Sequence, residues 1–279
     1  MVGVDAIGEA VYDAVRHAAV TLRSDVRGAM RAALPGERSE RGRRVLEELL
    51  ANAEIAERDG VPLCQDTGTV WVWVELGSAE CPGAPLQPAV DDAVRRAYAD
   101  GALRMSVVRD ALLDRTNTGD NTPAFLDVAF REGHGATVSV MLKGGGSDNA
   151  SVVEMLPPSA GADGVRDVVL RAVEQRAAGA CPPLVIGIGV GGTFDTVAKL
   201  AKRALLRRLD AAPADAGIFA FERELLGAIN ATGIGPAGLG GDTTALGVSL
   251  LTAPCHIAAL PVAVNLGCSA VRSAIVEIE

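Results

Sequence analysis

Aromatic residues make up only 3% of this 279-residue chain. Hydrophobic content is nevertheless 49%, so a sizeable core has to be built from Ala, Val, Leu and Ile. Positive charge is also scarce. The net charge is −9, the isoelectric point is near 5.0 and no basic stripe occurs, which argues against nucleic-acid binding. An acidic chain that binds an acidic substrate must concentrate its cations locally. No run of about 18 apolar residues is present, so no membrane span is expected. A charged segment followed by an apolar one does not open the sequence, so no secretory leader is expected either. The five cysteines are odd in number and lack the regular spacing of a disulfide scaffold. A reducing cytoplasm is the expected compartment, with the thiols as ligands or core residues.

Glycine is the residue in excess. The chain has 32, well above an average usage of about 7%, and much of the excess lies in four runs. Between these runs the periodicity alternates between helix and strand. Apolar positions recur at three and four over 4–34 until Pro35-Gly36. A second helix is expected over 39–59 with Ser39 as N-cap. Residues 70–76 read as a strand with Trp71 and Trp73 on one face and Val70, Val72 and Val74 on the other. Helices are expected over 88–113, 164–178, 193–209 and 219–232, and strands near 124–130, 136–142, 184–188, 244–252 and 257–264. An apolar helical turn is expected after Asn149. The whole predicts a mixed α/β fold: a single compact domain over 1–279, with a helical N-terminal portion (about 1–60) and a small central sheet flanked by helices.

Three cysteines stand in polar, turn-rich contexts: Cys64-Gln65-Asp66-Thr67-Gly68, Ala180-Cys181-Pro182-Pro183 and Asn265-Leu266-Gly267-Cys268-Ser269. Thiolates from three distant segments can hold an iron–sulfur cubane by three irons and leave the fourth as a Lewis acid. Gln and Asp are costly to bury beside a cysteine unless they meet something polar. The run 115–123 (Arg-Thr-Asn-Thr-Gly-Asp-Asn-Thr-Pro) is either a solvated loop or a polar site held by side-chain-to-backbone bonds. Lys143-Gly144-Gly145-Gly146 follows a strand, where glycine amides and a lysine favour an anion. Gly187, Gly189 and Gly192 satisfy G-x-G-x-x-G, but no acidic strand end follows at the right distance, so a dinucleotide site is not expected. The run 233–244 nearly spells a P-loop but lacks its lysine, which argues against ATP. Cys255-His256 precedes the Cys268 loop. Cys81 lies in a Pro/Gly turn and is assigned no role, and Cys255 is assigned to core or support.

Together these segments resemble the iron–sulfur hydro-lyases of the class I fumarase and tartrate dehydratase family. The resemblance covers nearly the whole chain. Because the sequence ends shortly after Cys268, it resembles the α subunit of the two-subunit form. The resemblance implies a [4Fe-4S] cluster on Cys64, Cys181 and Cys268, and an open iron that takes the substrate's hydroxyl and one carboxylate. It implies substrate binding by Gln65, Arg104, Lys143, Gly145 and Gly146, with Asp66 and His256 handling or orienting protons. It also implies a β subunit that supplies the main base, in an α2β2 assembly. The expected reaction interconverts a 2-hydroxy dicarboxylate and its dehydrated product, with fumarate/malate first and tartrate or mesaconate/citramalate as alternatives. Asp242 stands where the family more often has Lys, and Trp71 and Trp73 are bulkier than its usual aliphatics. The alternatives from other classes are a structural Cys3His zinc protein, disfavoured by the absence of close cysteine pairs, and a binding homologue without activity.

Overall fold

The computed structural model describes residues 2–279. In chain order its helices and strands are α1 (Val4–Val20), α2 (Ser24–Ala33), α3 (Glu40–Asp59), β1 (Thr69–Gly77), α4 (Leu86–Asp100), β2 (Phe125–Arg131), β3 (Ala136–Lys143), α5 (Gly145–Asn149), β4 (Val152–Leu156), α6 (Gly161–Arg176), β5 (Leu184–Gly192), α7 (Thr196–Ala204), α8 (Ala216–Asn230), β6 (Ala245–Cys255), β7 (Leu260–Gly267) and β8 (Arg272–Ile278). The mixed α/β class and the helical N-terminal portion are as expected. No helix among the described residues is long and apolar enough to cross a membrane.

The chain packs as two compact units. The first comprises the residues up to Arg23, Ala53–Gly145 and Arg272–Glu279; the second comprises Ser24–Asn52 and Gly146–Val271. In the first, the sheet order is β2-β1-β3-β8. β1 runs parallel to β2 and antiparallel to β3, and β3 runs antiparallel to β8. Period-2 alternation sends Val70, Val72, Val74, Val138, Val140 and Leu142 into one core with Ile7, Val11, Val15, Val90, Val94 and Tyr98 of α1 and α4. Trp71 and Trp73 take the other face, where Trp71 stacks on Trp73 at 6.2 Å and on Phe125 at 4.7 Å.

In the second unit the order is β4-β7-β5-β6, with β5 parallel to β6 and antiparallel to β7. The helices α6, α7 and α8 pack on this sheet, and Val168, Val169, Ile186, Ile188, Leu225, Ile229, Val262 and Val264 fill its core. β5 runs on to Gly192, so the G-x-G-x-x-G glycines lie inside a strand and not in the turn a dinucleotide fingerprint needs. A Cβ on Gly187 would strike the Ala201 carbonyl, and one on Gly189 would come within 2.5 Å of the Val197 carbonyl. These glycines let α7 lie against the strand.

Several boundaries differ from expectation. The helix expected over 4–34 breaks at Thr21, which is extended (φ −113°, ψ 120°) and closes α1 by donating its N–H to the His17 carbonyl. α4 stops at Gly101, well short of 113. Ala102 follows with φ 47°, and Asp110 accepts the amides of Leu112, Leu113 and Asp114, drawing the chain into a loop. The segment after Asn149 is a strand, and β8 had no counterpart in the sequence reading. β4 and β8 are both outer strands, so the strands form two four-stranded sheets instead of one small central sheet. Ser39 acts as expected: its Oγ accepts the Gly42 amide at 3.2 Å.

Candidate active site

The segment 61–68 carries the chain from α3 into β1. It is anchored at Leu63, whose amide donates to the Ala19 carbonyl at 2.9 Å. Cys64 is half-buried, with its thiol 3.3 Å from Gln65 Oε1. Both oxygens of Asp66 are held by backbone: Oδ1 accepts the Gly68 amide at 3.1 Å, and Oδ2 accepts the Gly145 amide at 2.8 Å. The glycine nest expected to bind an anion therefore already gives one amide to the chain's own carboxylate. Gly68 must be glycine. Its φ is +81°, and a Cβ there would lie 2.5 Å from the Lys143 carbonyl.

The surrounding elements fix this turn from below and from the side. The buried Tyr98 hydroxyl lies 3.0 Å from the Thr67 carbonyl and 2.9 Å from that of Gly68. Burial pushes its pKa up, so it remains a neutral donor. The Thr67 hydroxyl donates to the Arg104 carbonyl at 2.6 Å, which sets Arg104 beside the turn with its side chain in solvent. Asn121, fully buried, donates from Nδ2 to the Gly68 carbonyl at 3.1 Å and accepts the Ser106 amide at 2.7 Å. Of the two readings of 115–123, the polar, bonded one holds at this residue. Lys143 is buried as the last residue of β3, not displayed on the loop.

In the second unit, β5 and β7 are antiparallel neighbours with Val185 opposite Gly267. Cys181 before β5 and Cys268 after β7 thus reach the same end of one sheet. A direct bond links them, from the Ser269 amide to the Cys181 carbonyl at 3.0 Å. Cys181 is exposed and sits in the left-handed region (φ 56°), and Cys268 is half-buried. The Ala237 amide donates to the Pro182 carbonyl at 2.8 Å, which adds the 233–241 glycine run to the same cluster of loops. His256 is exposed in the turn between β6 and β7, where Nδ1 accepts the Ala258 amide at 3.1 Å. Cys255 is engaged with the Ala259 carbonyl. Gly146, at the start of this unit, lies near the Gly179 carbonyl.

None of the five cysteines is in a disulfide. Cys64, Cys181 and Cys268 are each partly accessible, and soft thiolates are the donors an iron–sulfur cluster takes, so the donor chemistry fits one. A single zinc ion, bound at about 2.0–2.3 Å, needs its ligand atoms crowded together. Among the described residues no three His, Cys, Asp or Glu side chains are grouped in that way. The sequence reading missed Tyr98, whose place depends on the fold. Asn121 lay inside a polar run it had singled out.

The comparisons with known proteins converge on one family. The model described as fumarate hydratase (fumerase) matches residues 8–277. A protein of Methanocaldococcus jannaschii, provisionally named an L(+)-tartrate dehydratase subunit alpha, is 39% identical over 98% of both chains. The L(+)-tartrate dehydratase subunit alpha of Escherichia coli strain UTI89 is 31% identical over 90% of this chain and 84% of its own length. The protein of the same name from strain K12 is 30% identical over the same shares. The chain therefore belongs to the class I fumarate hydratase family of hydro-lyases.

Proposed function

We propose that residues 1–279 act as one domain, the α subunit of a two-subunit, [4Fe-4S]-dependent hydro-lyase acting on a 2-hydroxy dicarboxylate in the cytoplasm. The observation that carries the reading is the pairing of two accessible cysteines outside any disulfide, Cys181 and Cys268, at one sheet end by the Ser269–Cys181 bond. The names of the relatives favour L(+)-tartrate as the first substrate to assay, with malate/fumarate and citramalate/mesaconate beside it.

Cys64, Cys181 and Cys268 would hold the cluster, which when bound supplies a Lewis acid for the departing hydroxyl. Asp66 is fixed by two amides yet keeps lone pairs free, so it can accept a hydrogen bond from the substrate hydroxyl and set its direction. The exposed Arg104 guanidinium takes a carboxylate in a charge-assisted pair. Gln65 and the Lys143–Gly146 turn complete the polar lining. The amide on His256 Nδ1 leaves the ring proton on Nε2, from which it can be donated. The partner subunit brings the main base, and an α2β2 assembly is the form we expect.

The test is anaerobic reconstitution. Wild type and C81A should load iron and sulfide fully, while C64A, C181A and C268A should not. Full loading of C181A would sink the ligand assignment.

A further inference from the structure

Arg272 opens β8 and heads the large side chains that are fully buried, at 1% exposure. Neither its Nε nor its Nη1 meets an acceptor. The register sets it opposite Leu142, on the sheet face that packs against α1 and α4. Its guanidinium lies close to Gly144, which Asp66 also borders. An ideal Cβ on Gly144 would lie 3.5 Å from Arg272 Nη2 and 3.1 Å from Asp66 Oδ2. Its field also acts on Tyr98: burial raises that hydroxyl's pKa, with Arg272 lowering it and Asp66 raising it. Tyr98 in turn holds the Thr67 and Gly68 carbonyls.

A buried guanidinium with unmet donors costs far more than an apolar chain of similar size. Packing alone would be served better by Met or Leu. The charge must therefore act on something, and the ionisable group across Gly144 is Asp66. We propose that Arg272 is a positioning residue: sealed beneath Gly144, its guanidinium holds the Asp66 carboxylate and the Gly144–Gly145 backbone in one arrangement, so that an anionic substrate meets a preformed turn. This rests on the reading of Asp66 as a substrate-site residue.

The decisive variants are R272M, which keeps the length and removes the charge, and R272K, which restores it. Each is assayed as the full chain with its partner subunit after reconstitution. R272M should load iron normally, keep KM within a few-fold and lose about 10²-fold in kcat, as misplacement of a site group by about 1 Å does. R272K should recover most of that loss. In the purified chain, the Gly145 amide resonance should shift in R272M and return in R272K. Wild-type kcat and an unmoved Gly145 amide in R272M would overturn the inference and leave the hydro-lyase reading intact. If the wild type turns over no diacid, the proposed function fails and the amide resonance alone decides the role of Arg272. Should R272M not fold, R272Q takes its place with the same expectations.

Discussion

Glu37 and Asp242 form a pair in which each carboxylate does a different task. Glu37 is 1% exposed and accepts the amides of Ser39, Asp242 and Thr243. Burial pushes its pKa up, but these bonds outweigh it and the result is a lowered value. Asp242, singled out in the sequence as unusual, accepts both the amide and the guanidinium of Arg38, and its pKa falls to about 2. Both carboxyls are held below their ordinary values, Asp242 at about 2. Their stabilisation is therefore present above about pH 4 and is lost as the pH falls toward 2. The urea midpoint of the wild type should drop over that window. E37Q should be less stable by about 2 kcal/mol at pH 7, and the drop with pH should be shallower in D242N; identical pH curves for D242N and wild type would refute the assignment. The sequence marked Asp242 as an oddity but could not supply Arg38 as its partner, since the two meet only in the fold. Cys64, Cys181, Cys268, Asp66 and Asn121 drew attention because each sits in a polar or glycine-rich run. Tyr98 and Arg272 stand in apolar or ordinary surroundings and gave no such signal.

At the scale of elements, long periodic segments were read correctly and their ends were not. α3, β1 and β3 fall within a residue or so of expectation, because a strong alternation or a Ser cap defines them. β4 and β8 escaped notice because an outer strand buries only part of its surface; β4 alternates between half-buried and exposed along its whole length. The glycines of β5 were not read as a dinucleotide site, but the reason for them was not visible in the sequence. Their spacing imitates a nucleotide turn, yet their role is to let α7 approach the strand backbone. Gly189→Ala should push the helix outward and cost about 1–3 kcal/mol, read as a lower urea midpoint, while NAD should not raise the wild-type midpoint. An unchanged midpoint in G189A would show that the close approach is not needed for stability.

For the whole molecule, the scarcity of positive charge is the useful clue. A dicarboxylate carries two negative charges, and Arg104 is the exposed cation we place in the site. The isolated chain, reconstituted, should therefore turn over tartrate, malate or citramalate poorly, and activity should appear when the partner subunit is added and fall on exposure to air. Substantial turnover by the chain alone would remove the need for a partner. The fold class was legible as a whole, because the alternation of helix and strand patterns determines it. The division into two sheets was not, because it depends on pairings between distant segments. One of those pairings bears on how the protein is made. β8, which follows the whole second unit in the sequence, lies beside β3 in the sheet that β1 begins. The first unit thus cannot finish its sheet until the entire second unit has been synthesised, so early residues must wait, partly unpaired, for the last to arrive.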